Sequence, residues 1–342
     1  MILAGGMSSR LYPLTRDVPK PLIPLVGKPV VEHILSYLRS FGILDVAINV
    51  HYHAEKIRDR LGDGSDLGVR LHYLHERKLM GSAGAVKQME HFFRNDNEPF
   101  IVIGCDDVTN VDLGVLRQTH ESKDALATIA LYEATQVHAF GVVLIDDTGR
   151  IRDFQEKPPK GTERSHLVNT GIYCFDPAIF ERIAAHEFVD WGKDVFPVLQ
   201  RQGAAFYGSL EPGAYWKDIG TLDEYRRATE DILEDRFRLD GVRRSNIPAD
   251  AYIGKEVVIR GNVVIGDEVR IGDFAQIVGP AVIGNGARLG HGVTIERSIL
   301  WDDVAVGDGA IVSASVLGTC SRIAPGATVT DEVVANGELL AG

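Results

Sequence analysis

The chain has 342 residues, 45% of them apolar and 25% charged, with 36 Lys+Arg against 48 Asp+Glu for a formal net charge of −12. This length accommodates two domains that each bury a core, and the acidic balance excludes a general nucleic-acid binder, since no basic surplus is available to neutralise phosphates. No apolar run approaches the roughly 18–20 residues that cross a bilayer, and three cysteines (Cys105, Cys174, Cys320) without CxxC spacing argue against a disulfide framework or zinc site and for a reducing cytoplasm.

Met1–Ala4 reads as a stub of strand. A Gly/Ser loop follows it, then a stretch punctuated by Pro13, Pro19, Pro21, Pro24 and Pro29 that cannot be a regular helix. Residues 1–31 hold Arg10, Arg16, Lys20 and Lys28 against Asp17 alone, a local +3 within an acidic chain. Val30, Ile34, Leu38 and Phe41 then fall at helical spacing. Strands are predicted over 45–50, 69–74, 100–103, 125–133, 140–145 and 151–156, with helices near 54–61 and 82–93. This alternation predicts an α/β fold over residues 1–237, a Rossmann-like, mostly parallel sheet with an antiparallel elaboration. Sites in such sheets lie beyond the carboxyl ends of the strands. The Gly5-Gly6 loop and the Gly104–Asp107 turn sit at two such ends, so they face one crevice if their strands are neighbours.

A helix is predicted over 222–237, followed by a polar connector, 238–250. The period then becomes six. Ile253, Ile259, Ile265, Ile271, Ile277, Ile283, Leu289 and Ile295 recur at one position, with Gly254, Gly266, Gly272, Gly284 and Gly290 next to five of them. Four residues after each aliphatic comes an apolar and mostly small residue, from Val257 to Ile299. The phase slips by one near Trp301 and again at Leu317, then continues through Ile323 and Val329. Such hexads predict a parallel β-helix over 251–336, its aliphatics inside a three-sided prism of four to five coils. The pattern resembles the hexapeptide-repeat family, which implies left-handed winding.

The loop Leu3-Ala4-Gly5-Gly6-Met7-Ser8-Ser9-Arg10 is small enough for backbone N–H groups to approach a phosphate chain, with an arginine at its end to grip it. It is neither a P-loop nor a GxGxxG fingerprint. Downstream, Lys20 is held between Pro19 and Pro21. This stretch resembles the GGxGTRLxPLT…PKPL signature of the sugar-1-phosphate nucleotidylyltransferases. Further ordered matches are Gly81-Ser82-Ala83-Gly84-Ala85, Gly141 in Phe-Gly-Val-Val, Phe154-Gln155-Glu156-Lys157-Pro158, Asn169-Thr170-Gly171-Ile172-Tyr173 and Trp216-Lys217-Asp218-Ile219-Gly220-Thr221. Ser8-Ser9 departs from the family's usual Gly-Thr.

The resemblance implies attack by a sugar-1-phosphate oxygen on the α-phosphorus of an NTP, with Mg²⁺ as cofactor. It assigns Asp106 and Asp218 to the metal, Arg10 to the β/γ-phosphates, Lys20 to the α-phosphate region and Lys157 to the sugar phosphate. It places Glu156, Asn169 and Gly141 at sugar hydroxyls, and Leu3, Ala4, Gly5, Gly6, Gly81 and Asp106 around the nucleotide. The tandem Asp106-Asp107 leaves the ligand open between the two, and the family's GDxxxxxDL spacing, matched through Asp112-Leu113, implies Asp106. Together the Gly81–Ala85 loop and the β-helix resemble mannose-1-phosphate guanylyltransferases most, which favours GTP, with glucose-1-phosphate thymidylyl- or uridylyltransferases next. A cytoplasmic homo-oligomer associating through the β-helix is expected. A non-catalytic regulatory subunit is the alternative of another class; it predicts loss of Arg10, Lys20 or a carboxylate, and all are present. His51 and His53 have the spacing of metal ligands without a third partner, and His291, between Gly290 and Gly292, reads as a coil corner rather than an acyltransferase histidine.

Overall fold

The computed structural model describes residues 1–95, 97–239, 242 and 247–341. Before the hexads the strands are β1 (Ile2–Leu3), β2 (Pro24–Leu25), β3 (Lys28–Pro29), β4 (Asp45–Val50), β5 (Arg70–His75), β6 (Phe100–Gly104) and β7 (Asp107–Thr109). They continue as β8 (Ala127–Glu133), β9 (Gly141–Ile145), β10 (Ile151–Glu156), β11 (Leu167–Phe175), β12 (Phe206–Leu210) and β13 (Trp216–Asp218). The α-helices are α1 (Val30–Ser40), α2 (Ala54–Leu61), α3 (Gly81–Gln88), α4 (Glu90–Arg94), α5 (Leu113–Ser122), α6 (Phe196–Arg201) and α7 (Leu222–Leu233). Contacts divide the chain into two compact units, Met1–Gly6 with Ile34–Asp218, and Met7–His33 with Ile219–Gly342. The change of sequence period near 237–251 therefore marks a change of architecture rather than the edge of a contact unit. Of the expected connector 238–250, residues 240, 241 and 243–246 lie outside the described residues.

In the first unit a nine-stranded sheet runs β10-β9-β11-β6-β1-β4-β5, with β8 joined to β11 and β12 to β8. Strand β1 pairs in parallel with both β4 and β6, and β4 with β5. The predicted antiparallel elaboration is the β9–β10 pair, and strand β11, which is not among the predicted strands, extends it by running antiparallel to β6, β8 and β9. The run Val46–Val50 is wholly buried, as expected of a strand covered on both faces. Because β1 lies between β4 and β6, the loops after β1 and β6 leave the same edge of the sheet. A stacked aromatic column of Phe93, Phe100 and Phe180, and another of Phe175, Trp191, Phe196 and Phe206, fill the core.

The helix predicted near 82–93 is two helices, because Met89 (φ −97°, ψ 14°) leaves the helical region between α3 and α4. Strand β12 escapes a periodicity reading: Gly208 and Ser209 interrupt its apolar pattern, and its parallel pairing with β8 is supplied by the sheet.

In the second unit the hexads form three parallel sheets, those of a left-handed β-helix. The first face stacks Tyr252–Ile253, Arg270–Ile271, Arg288–Leu289, Ala305–Val306, Arg322–Ile323 and Leu339–Leu340. The second and third faces have five strands each, so the described residues make five full coils and a sixth strand of the first face, more than the four to five expected. Ile253, Ile271, Leu289, Val306, Ile323 and Leu340 are successive partners, separated by 18 residues at first and by 17 from Leu289 on. The lost residue always comes from the third face, whose strands shorten from Val263–Ile265 and Ala281–Ile283 to Ile299–Leu300, Val316–Leu317 and Val333–Val334. The slips near Trp301 and Leu317 are thus one deletion repeated in register.

Buried serines occupy the shortened corner. Ser298 Oγ donates to Glu296 O (2.7 Å) and accepts from Ser315 N (3.1 Å). Ser315 Oγ donates to Ser313 O (2.7 Å) and accepts from Glu332 N (3.1 Å). Val264, Val282, Ile299 and Val316 on this third face are buried, so here it is an interior surface. Polar contacts tie its corners to α7 and to the 7–33 segment. Trp301 Nε1 donates to Tyr225 Oη (2.9 Å), which donates to Pro24 O (2.7 Å), and Asn336 Nδ2 donates to Leu14 O (3.0 Å). Arg226 pairs with Asp331 (2.9 Å) and Arg297 with Glu230 (2.7 Å).

Candidate functional site

The edge at the carboxyl ends of β1, β4 and β6 is organised by two buried polar groups that periodicity does not single out, Asn49 and Glu76. Asn49 Oδ1 accepts from Ala4 N (2.9 Å), and its Nδ2 donates to Glu76 Oε2 (2.6 Å). The other carboxylate oxygen, Oε1, accepts from Met80 N (3.0 Å), one residue before Gly81. The loop after β1 and the loop before α3 are therefore held by one carboxylate. A Cβ on Gly5 would lie 2.8 Å from Asn49 Nδ2 and 2.9 Å from Glu76 Oε2, so this position requires glycine. Of the expected nucleotide loop, Ala4 spends its N–H on Asn49, while Gly6 is exposed. Gly81, at φ +79°, packs so closely that a Cβ would lie 2.4 Å from Val189 O, and Val189 O accepts from Ala83 N and Gly84 N (3.0 Å each).

At the end of β6, the two carboxylates of the tandem have different environments. Asp107 is 5% exposed; its Oδ2 accepts from Gly104 N (2.9 Å) and its Oδ1 from Trp216 Nε1 (2.9 Å). Burial, and then the charges of Asp106 and Asp218, push its pKa well above the usual carboxylate range. Asp106 and Asp218 are half-buried, and Asp218 stands directly opposite Asp107 in the antiparallel β7–β13 pair. Trp216, which buttresses the cluster, packs edge-on against Phe140 (5.1 Å) and tilted against Tyr132 (5.7 Å). Two carboxylates beside a third that is already committed form a hard-oxygen donor set. Such a set suits Mg²⁺ sharing its coordination with phosphate oxygens, which needs one or two protein carboxylates rather than a full cage. Among the described residues no group of three or more His, Cys, Asp or Glu is arranged as such a cage.

Three expected sugar-side residues converge. A Cβ on Gly141 would lie 2.7 Å from Phe154 Cζ, 3.2 Å from Glu156 Oε2 and 3.4 Å from Asn169 Cβ. The backbone at 141 therefore lies against both side chains. Asn169 sits where β11 shifts register against β8; its Oδ1 accepts from Gly171 N (3.0 Å) and its Nδ2 donates to Tyr173 Oη (3.0 Å). Burial raises the Glu156 pKa, against the opposing charge of Lys157, whose Nζ lies 3.8 Å from Glu156 Oε1. The π-helical turn Trp191–Val195 closes this side: Gly192 abuts Glu156, and Ser82 Oγ, donating to Asp190 Oδ2 (2.9 Å), links the turn to α3. Only the Asp190-Trp191-Gly192 cluster was available as a signal for it in the sequence.

Arg10 and Lys20 belong to the second unit. Arg10 is exposed on a short 3₁₀ turn (Ser9–Leu11), whereas Lys20 is 7% exposed at the start of another, Lys20–Leu22. Ser8, where the expected pattern has glycine, adopts φ 52°, and its carbonyl accepts from Thr15 Oγ1 (2.9 Å). The weaker histidine candidates have structural settings. His51 Nδ1 lies 2.7 Å from Glu76 O, and His291 is exposed at a coil corner with its N–H on Asp308 Oδ1 (2.8 Å). Cys105, Cys174 and Cys320 are free thiols, and among the described residues no helix is long and apolar enough to cross a membrane.

The Nucleotidyl transferase family matches residues 1–235, and the GMPPB C-terminal domain matches residues 259–339. The chain is 33% identical to a UTP–glucose-1-phosphate uridylyltransferase of Synechocystis sp., over 98% of this chain and 86% of that protein. It is 32% identical to a mannose-1-phosphate guanylyltransferase of Mycobacterium tuberculosis, over 68% of this chain and 64% of that protein. Among solved structures, a Bacillus anthracis protein assigned as a glucose-1-phosphate thymidylyltransferase is similar with a TM-score of 0.59 and 28% identity, covering 67% of this chain and 92% of that one.

Proposed function

The chain belongs to the nucleotidyl transferase family and is a sugar-1-phosphate nucleotidyltransferase, and from that premise we propose that it joins GTP and mannose 1-phosphate into GDP-mannose with release of pyrophosphate. The observation that supports guanylyl transfer is the match of the hexad region to the GMPPB C-terminal domain. A second reading, uridylyl transfer to glucose 1-phosphate, is favoured by the Synechocystis relative, whose likeness spans both parts of the chain.

The nucleophile is a phosphate oxygen of the sugar 1-phosphate, already ionised at neutral pH, so the site needs no general base. The new bond joins that oxygen to the α-phosphorus. The bond from the α-phosphorus to its bridging oxygen breaks, and the electron pair leaves on pyrophosphate. The protein's part is to align two anions and to neutralise the charge that grows on the leaving group. Asp106 and Asp218 would hold Mg²⁺, which supplies charge neutralisation at the phosphates when bound. Asp107, tied to Trp216 and Gly104, keeps those two carboxylates in place. Arg10 and Lys20 hold the triphosphate, and Lys157 the sugar phosphate. Glu156 and Asn169 bond the sugar hydroxyls beside the backbone at Gly141, and Gly81 offers backbone to the base. The reaction is placed in the cytoplasm, in keeping with three free thiols, in a homo-oligomer assembled through the β-helix.

The test is a pyrophosphate-release screen of the common NTPs against mannose, glucose and N-acetylglucosamine 1-phosphates. The proposal expects GTP with mannose 1-phosphate to give the highest kcat/KM; a preference for UTP and glucose 1-phosphate selects the second reading. A folded protein that turns over no pair would identify it as a non-catalytic subunit.

A further inference from the structure

The first face of the β-helix carries a column of registered residues, Tyr252, Arg270, Arg288, Ala305, Arg322 and Leu339. Arg270 and Arg288 stand directly opposite one another across a parallel ladder, a placement that destabilises a sheet when both side chains carry the same charge. No acidic residue shares the column to offset them. Among the described residues, none of the three arginines makes an ion pair, whereas Arg16, Arg70, Arg117, Arg226 and Arg297 all do. The hexad region is acidic, with twelve Asp/Glu against six Lys/Arg from Ser245 to the end. A carboxylate on this face was therefore compositionally easy, and its absence concentrates positive charge locally.

The shape follows from Ala305. Strands in adjacent coils lie about 4.8 Å apart, so the short side chain at 305 leaves a gap of about 10 Å between the backbones of Arg288 and Arg322. The gap opens into a hollow of about 470 Å³, lined by the three arginines, floored by Ala305 and Gly307 among others, and bounded beyond Arg322 by Leu339. That volume lies within the range of small-molecule sites. The arginines on either side of it carry guanidinium forks that match the oxygens of linked phosphates, which each fork can grip through two N–H donors. The apolar floor suits a ring attached to them.

We propose that this hollow is a second oligophosphate site, built from residues other than Asp106, Asp218, Gly141, Glu156 and Asn169, that binds a ligand carrying two linked phosphates. Free pyrophosphate and a nucleoside diphosphate share that chemistry, and they differ in whether the apolar floor contributes.

The experiment is equilibrium dialysis of the full chain at low salt with radiolabelled pyrophosphate, GDP or inorganic phosphate, alongside an Arg288→Gln/Arg322→Gln variant. The expected result is two pyrophosphate sites per chain in the native protein. One of them is lost, or weakened at least tenfold, in the variant, whose kcat stays unchanged at saturating substrate. GDP binding more tightly than pyrophosphate at the lost site assigns the occupant as a nucleotide; the reverse order assigns free pyrophosphate. Identical stoichiometry and affinity in both proteins overturns the proposal. In the native protein alone, pyrophosphate should slow phenylglyoxal modification of Arg288 and Arg322 severalfold, as read by peptide mass spectrometry. Unchanged rates at both positions overturn it independently of how the variant folds.

Discussion

Adjacent aspartates at the end of β6 divide their duties by environment. Asp107 has each oxygen fixed by a donor, Gly104 N or Trp216 Nε1, and is buried; Asp106 is half-buried beside it and Asp218 faces it across the β7–β13 pair. Asp106→Asn and Asp218→Asn should each lower kcat by about 100-fold or more without moving the melting temperature, measured by pyrophosphate release and calorimetry. Asp107→Asn leaves one buried donor poorly matched and should cost about 1–3 kcal/mol of stability, seen as a shifted denaturation midpoint. Comparable turnover in Asp106→Asn and the native protein would return the metal role to Asp107. On the sugar side, Gly141→Ala puts a methyl 2.7 Å from Phe154 Cζ and 3.2 Å from Glu156 Oε2. It should raise KM for the sugar phosphate about tenfold or more, a loss of at least ~1.4 kcal/mol, while KM for the NTP stays fixed. Equal changes in both would show that Gly141 does not border the sugar.

Between secondary elements, the third face of the β-helix is the place where the hexads stop being a repeat and become part of a fold. Its strands lose a residue from the third coil on, its corner is lined by Ser298 and Ser315, and its outward valines and isoleucine are buried. Tyr225 on α7 joins this face to the Pro24 carbonyl through two hydrogen bonds, and burial pushes its hydroxyl well above the usual tyrosine range. Tyr225→Phe leaves Trp301 Nε1 and Pro24 O without that partner. It should destabilise the second unit by about 1–3 kcal/mol, with hydrogen exchange rising at 22–26 and 299–302 and not across β4 and β6. Exchange rising uniformly over the chain would show that the two units unfold as one.

For the molecule as a whole, acid stability is set in part by two histidines whose protonation folding disfavours. Burial lowers the pKa of His33, whose Nε2 lies 2.9 Å from Leu25 O, and of His120, whose Nδ1 lies 2.9 Å from Thr128 Oγ1. A lowered folded pKa means the unfolded chain binds protons first. Their contribution is therefore complete above the unfolded histidine pKa of about 6.5 and is lost as pH falls below it, at no more than ~1.4 kcal/mol per pH unit for each. Melting temperature should fall between pH 7.5 and pH 5, and His120→Gln should flatten part of that slope. A His120→Gln slope equal to the native one would remove His120 from the account.

What the sequence determined by itself is whatever a short stretch enforces locally: the six-residue period that needs an aliphatic inside every side of a narrow prism, the proline-bound Lys20, the apolar run of β4, and the loop glycines that leave no room for a Cβ. From these the α/β sheet, the β-helix and most of the candidate site residues were legible. The tertiary structure decided what depends on partners distant in sequence. Asn49 and Glu76 became the clamp of the first loop because β1 and β4 are neighbours, Asp107 became a buttress because Trp216 arrives 109 residues later, and the π-helical turn at 191–195 packed against Glu156. The phase slips acquired meaning only when the coils stacked, and so did the arginine column, because residues 18 or 34 positions apart are unrelated along the chain and adjacent or nearly so on the face. Hydrogen bonding and close packing act across space, and a linear pattern records only those contacts that recur at a fixed step.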